Sequence, residues 1–267
     1  MLRFFRQIRK KLMEQNKTRS YILYAVGEIL LVMIGILLAL QVNNWNQERN
    51  NEVRARQLAT SLISEFNDNL NQLEYLFDIH NATQNASMYL LGVRERNENI
   101  SFDESKLRNR WSENFLNAEY EEEAVLDTLW RTGSMWTYDP VNGALRSGIS
   151  SGDINLFKND SLKAKLFAWE DLVKDLDEEE TRLINQEIEI TPFKDKFIPG
   201  MYVAHFISDG RIPPSNFKPV IKELLHHPDF ENYLMGKLSE ILNIKAEMRV
   251  LEDEAEQIIE LLELELV

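Results

Sequence analysis

The chain has 267 residues, with 30 Lys and Arg against 44 Asp and Glu, a formal net charge of −14. It contains no cysteine, which excludes disulfides, thiol catalysis and Cys-ligated zinc or iron–sulfur centres. The charge is uneven: the first twenty residues hold Arg3, Arg6, Arg9, Lys10, Lys11, Lys17 and Arg19 against Glu14, a net of +6 that leaves −20 for the remainder. A domain that acidic repels phosphate backbones, so nucleic acid is not expected as a partner; the charge reads first as a solvated surface, with a basic partner or a divalent cation as the alternative. Gly and Pro are scarce, at 10 and 7, and Leu, Glu, Asn and Lys are common, a composition that favours helix over sheet.

In chain order, residues 1–20 form a basic segment in which Leu2, Phe5, Ile8 and Leu12 recur at helical spacing. That pattern predicts an interfacial helix on an anionic leaflet, with Arg9, Lys10 and Lys11 among its anchors. Residues 21–42, from Tyr21 to Val42, are almost uninterruptedly apolar. At ~1.5 Å per residue they reach roughly 33 Å, enough for a ~30 Å hydrocarbon core. Tyr21 and Tyr24 flank one end and Trp45 the other, as interfacial aromatic anchors do. The cluster of seven cations lies on the N-terminal side of the span, against mixed charge on the other, which places the N-terminus in the cytoplasm and the rest outside. The apolar run is long for a signal peptide, and Ala39-Leu40-Gln41 is a poor cleavage site, so the segment reads as an uncleaved anchor.

Glu28 is the one carboxylate in the span. At mid-bilayer such a group costs about 2.5–3.5 kcal/mol on insertion scales, and it usually faces other helices or water. It shares a helical stripe with Val32, Gly35 and Ala39, and Gly35 with Ala39 forms a small-xxx-small pair that lets helices approach closely. Two readings stand: an oligomer or partner whose interface includes Glu28, with proton relay as a variant, or a carboxyl leaning toward the headgroups.

The acidic part, residues 43–267, is expected to be helical. Asn43 to Gly92 reads as one long helix with Leu58, Leu62, Phe66, Leu70, Leu73, Phe77 and His80 as its stripe. A second long helix runs from Phe230 to Leu264, capped by Asp229, with Leu234, Leu238, Ile241, Met248, Leu251, Ala255, Ile258 and Leu262 as its stripe. Packing within one chain as an antiparallel bundle is the default; an intermolecular coiled-coil seam is the alternative. Shorter helices are expected at Phe102–Leu116, Glu122–Arg131 and Leu162–Ile188. Turns are expected from Gly133 to Gly152, and irregular chain from Thr191 to Ser215, where four prolines fall.

Little in this region points to chemistry. His226 and His227 are adjacent and, with Asp229, form a weak metal candidate that a loop before a helix cap explains equally well. The acidic runs at Glu119–Glu123 and Asp175–Glu180 lack calcium-loop spacing and read as solvated faces. Trp111, Trp130, Trp136, Tyr138 and Trp169 read as packing residues among short helices, with a pocket lining as the alternative. No phosphate-binding glycine loop, nucleophile elbow or zinc-protease motif occurs, so no catalytic residue, metal site or cofactor is expected.

The opening MLRFFRQIRKKL, then SYILYAVGEILLVMIGILLALQVNNWNQER, and later SSGDINLFKNDSLKAKLFAW resemble a Bacteroidetes family of single-pass membrane proteins with a domain of unknown function. The resemblance implies a Gram-negative inner membrane and a periplasmic domain, and it brings no activity or functional residues. The expectation is therefore an all-α protein, an N-terminal transmembrane helix followed by a periplasmic helical bundle. Its expected role is as a non-catalytic, oligomeric interaction, scaffold or sensor protein. Its partners would be the lipid bilayer and either further copies or another membrane protein. A channel or proton-coupled motor component using Glu28 is the alternative.

Overall fold

The computed structural model describes residues 18–95, 126, 128, 129, 132, 133, 135–208, 211–213 and 215–266. The helices expected at 102–116 and 122–131 lie wholly or largely outside these, as do residues 1–17. The described residues are helical, with no strand among them: α1 (Thr18–Glu95), α2 (Gly143–Ser151), a 3-10 turn (Asp153–Leu156), α3 (Asp160–Lys194), α4 (Gly200–Ile207), α5 (Ile221–Leu225) and α6 (Pro228–Leu266). The chain divides into two units between Gln57 and Leu58, and α1 contributes to both.

In the first unit α1 is long and apolar enough to cross a membrane. Its large aliphatic side chains from Ile22 to Val42 are exposed on every side of the helix, Leu31 at 71% and Ile29 at 67%. Such a surface is costly to leave in water, because each buried methylene is worth about 0.8 kcal/mol. From Asn43 to Gln57 the helix becomes polar and stays largely exposed.

In the second unit the same helix changes character. Ala59, Leu62, Phe66, Leu73, Leu76, Ala86 and Leu90 are buried at three- and four-residue spacing. Leu70 and Phe77 are only half-buried, and Leu76 takes a central place instead. Two further long helices supply the other walls. Leu162, Leu166, Trp169, Leu176 and Leu183 form the buried stripe of α3, and Leu234, Ile241, Ile244, Met248, Leu251 and Ile258 that of α6. Trp169 meets Phe66 edge to face at 4.8 Å.

The side-chain pairs fix directions. Lys165 meets Glu254 at 2.8 Å and Glu187 meets Lys237 at 3.0 Å, so α3 and α6 run antiparallel. Lys245 on α6 lies over the Phe77 ring of α1 and donates to Asn81 (2.6 Å) and Gln84 (2.9 Å). Gly236 allows a close approach between α6 and α3: a Cβ there would lie 2.3 Å from the Gln186 side-chain amide. These pairs join α1, α3 and α6 within the chain.

Four boundaries differ from the sequence expectation. The Asn142-Gly143 pair opens α2 rather than a turn. α3 continues through Pro192 to Lys194; a proline in the last turn removes one hydrogen bond near an end that frays anyway. α4 forms inside the stretch expected to be irregular, because Pro199 at its N-cap precedes the helix instead of breaking it. The last helix starts at Pro228, so Asp229 sits in its first turn. The cap is His227, whose Nδ1 accepts the Asp229 N–H at 3.2 Å. Gly152 ends α2 in the left-handed conformation at φ 77°, where only glycine is unstrained.

Candidate functional site

Two regions hold features a function could use. The first is the apolar part of α1. Residues 28, 32, 35 and 39 fall within roughly 60° of one another around a helix. Glu28 is half-buried, while Val32, Gly35 and Ala39 are exposed, and a Cβ on Gly35 would meet nothing within 4 Å. Val32, Gly35 and Ala39 thus form an open face beside the half-buried Glu28. Trp45 is 63% exposed. Tyr21 and Tyr24 lie in the helix with side chains outside the description, and Arg9, Lys10 and Lys11 lie outside the described residues.

The second region is a strap, residues 135–142, that runs without regular structure into α2 and is held by three polar side chains from the long helices. Glu180 on α3 accepts the Tyr138 N–H through both carboxylate oxygens, at 2.9 and 3.1 Å. Asn69 on α1 pairs with Val141 in both directions, donating to its carbonyl and accepting from its N–H, each at 2.8 Å. Glu65, one turn earlier, accepts the N–H groups of Ala144 (2.6 Å) and Leu145 (2.9 Å). That carboxylate caps α2, whose own Asn142 makes no side-chain cap, and it meets the positive end of the helix dipole. Glu65, Asn69 and Glu180 are all buried. Burial pushes the Glu180 carboxyl up to about 7; the Tyr138 N–H opposes this and the nearby Asp177 charge adds to it. Burial, with Glu180 beside it, also raises the Tyr138 phenol well above its usual value.

A separate buried knot joins α3 to α6. Lys237 is fully buried and donates to Glu187 (3.0 Å), to the Tyr233 hydroxyl (3.2 Å) and to the Thr132 carbonyl. Tyr233 and Lys194 also donate to Glu187. Burial works against the Glu187 charge, but the Lys237 and Lys194 charges and the hydrogen bonds prevail and lower its pKa. Burial lowers the Lys237 pKa against the pull of Glu187. His80, at 3% exposure, is lowered to about 4 by burial first and then by Lys245 and Lys237; its Nε2 has no hydrogen-bond partner among the described residues.

These groups correct several sequence readings. Glu180, read as part of a solvated acidic face, is a buried clamp. Tyr138 and Trp169 are buried as expected, but Trp136 is 52% exposed. His227 packs edge-on against Phe193 at 4.7 Å, and His226 Nδ1 meets the Lys222 carbonyl at 2.7 Å, so the pair serves turn and cap rather than converging on one ion. Glu65, Asn69, Glu187, Tyr233 and Lys237 went unnoticed in the sequence. The signal was present: each occupies an apolar-stripe position, Lys237 falling between Leu234 and Ile241. A polar residue there must be paired, and the partner is not local.

No protein-family model, no curated protein and no solved structure matches the chain.

Proposed function

We propose that this chain is a membrane-anchored, non-catalytic interaction protein, an oligomeric scaffold or sensor. Its basic N-terminus would lie in the cytoplasm and its acidic helical bundle in the periplasm of a Gram-negative inner membrane. The observation that carries this reading is the contrast along α1. Aliphatic side chains are exposed all round from Ile22 to Val42, while from Ala59 onward the same helix buries its stripe. The first part needs a lipid or protein environment, and the second already has its own core. The N-terminal cations support the orientation, and the resemblance noted above supports the compartment. The buried ionisable groups Glu187, Lys237 and Tyr233 engage one another, which supports a structural use for them rather than a chemical one.

The open face at Glu28, Val32, Gly35 and Ala39 is the proposed contact within the membrane. The test is extraction and counting. The protein should resist alkaline carbonate, require detergent, and give a defined oligomer or hetero-complex by native mass spectrometry. Gly35→Leu should dissociate that complex without changing helix content. Release by carbonate would overturn the anchoring, and a detergent monomer indifferent to Gly35→Leu would overturn the membrane contact. Glu28→Gln separates the rival reading. A scaffold keeps its assembly, whereas a channel or proton-coupled motor loses its proton-dependent function.

A further inference from the structure

The strap displays a second surface, and its chemistry names a partner. Glu180 fixes the strap's backbone at Tyr138 and Asn69 at Val141, and along it Met135 is 43% exposed, Trp136 52% and Val141 48%. Trp136 stands edge to face with Tyr75 of α1, ring centroids 6.4 Å apart at 89°, and Tyr75 is itself 54% exposed. Two half-exposed aromatics, braced against each other with one on α1 and the other two residues before the clamped Tyr138, make a rigid apolar ledge. A rigid ledge loses little side-chain entropy on binding, and Trp and Tyr are the residues that most often carry contact energy.

The rim of the ledge is acidic. On α1, Asp68 and Asp78 flank Tyr75 at spacings of seven and three residues, which puts all three on one side of the helix. On the strap, Asp139 follows Trp136 by three residues, and all three carboxylates are exposed. Neither segment, 67–82 nor 135–142, contains a Lys or Arg. Aromatic faces attract cations through their quadrupole, and an acidic rim steers the same charge toward them.

We propose that the ledge of Tyr75, Trp136, Met135 and Val141 docks a Lys- or Arg-bearing segment of another protein, its apolar side chains against the rings and its cations on Asp68, Asp78 and Asp139. This rests on the interaction-protein reading above and gives that reading its extramembrane partner class. An acidic second copy of this unit does not suit the rim.

The test uses the full chain in its native membranes, with the photo-crosslinker p-benzoylphenylalanine replacing Trp136 or Tyr75, and Lys174 on α3 as a control position. Adducts at 136 and 75, but not at 174, should map to a protein segment with net positive charge. The triple variant Asp68→Asn/Asp78→Asn/Asp139→Asn should cut their yield roughly tenfold, as loss of rim charges slows association. The control Glu252→Gln/Asp253→Asn/Glu256→Gln on α6 should leave the yield unchanged. As a second probe, Trp136→Ala should abolish the adduct at position 75, with an unchanged melting curve as the check on folding. Adducts to lipid, to a second copy, or to a neutral or acidic segment overturn the proposal, as does no adduct or indifference to the triple variant. Any of these with an intact detergent complex removes the ledge alone. Carbonate release removes the anchoring reading instead.

Discussion

Lys237 and Glu187 show what a buried charge requires of its neighbours. Each has two or more partners, so the cost of desolvation is met only while the whole knot is intact. Lys237→Met should therefore lower stability by about 3 kcal/mol, because Glu187 keeps only Lys194 as a cation. Adding Glu187→Gln should recover part of that loss, and a urea-denaturation cycle on the four proteins would measure the coupling. Strict additivity would sink the idea of a coupled knot. Two other buried groups oppose each other in pH. His80 resists protonation until about pH 4, whereas the unfolded chain takes the proton near 6.5. Its contribution is present above 6.5 and is lost as pH falls toward 4, on the order of 3 kcal/mol. Glu180 keeps its proton up to about pH 7, whereas the unfolded chain releases it near 4.5. Its contribution is present below 4.5 and is lost as pH rises through 7, by a similar order. Between pH 4.5 and 6.5 the two largely offset. Glu180→Gln should expose the His80 slope, with the melting temperature falling as pH drops from 6.5, and His80→Leu should expose the opposite slope. A Glu180→Gln protein as flat as the wild type would contradict the assignment of these two groups.

At the scale of elements, α2 exists because a residue far away in sequence finishes it. Glu65 accepts two of its first N–H groups, and Asn69, one turn on, pins the strap that leads into it. Glu65→Ala should cost about 1–2 kcal/mol, as loss of a good cap does. The effect should be local: amide exchange at Ala144 and Leu145 should accelerate while that of Leu166 and Leu251 stays protected. Uniform acceleration across all helices would show that Glu65 holds the core rather than one cap. This element also marks where sequence reading stops. The long stripes of α1, α3 and α6 were legible because each repeats a local period many times over, so a shift at Leu70 or Leu238 does not hide it. Asn142-Gly143 looked like a turn because its cap lies on another helix, 77 residues before Asn142. Pro192 and Pro199 looked alike as breakers, yet one falls in a last turn and the other at an N-cap, where their missing N–H groups matter least. The buried carboxylates were illegible as clamps for the same reason as the cap: the helix spacing places Glu180 and Glu65 on the inner stripe, but only the fold brings Tyr138 and Ala144 to them.

At the scale of the whole chain, the two units differ in what they expose. Every buried core residue among those described is Ala59 or later, while the large aliphatics from Ile22 to Val42 are all exposed. The net charge is positive ahead of the apolar span and negative after it. A protein beginning at Asn43 thus keeps the entire described core, all three strap clamps and the Glu187 knot, and it sheds the surface that water rejects. It should be soluble without detergent, strongly helical by circular dichroism, and should melt in one cooperative step at the temperature of the corresponding transition in the detergent-solubilised full chain. Its charge, strongly negative, should keep it from self-association at low salt. If this fragment aggregates or melts without cooperativity, the exposed stretch of α1 is part of the folding unit, and the division near Leu58 does not separate anchor from domain. If it folds but no longer engages the proposed basic partner while the full chain does, membrane confinement would be the source of effective concentration, and a tandem fusion of two fragments should recover binding through linkage alone.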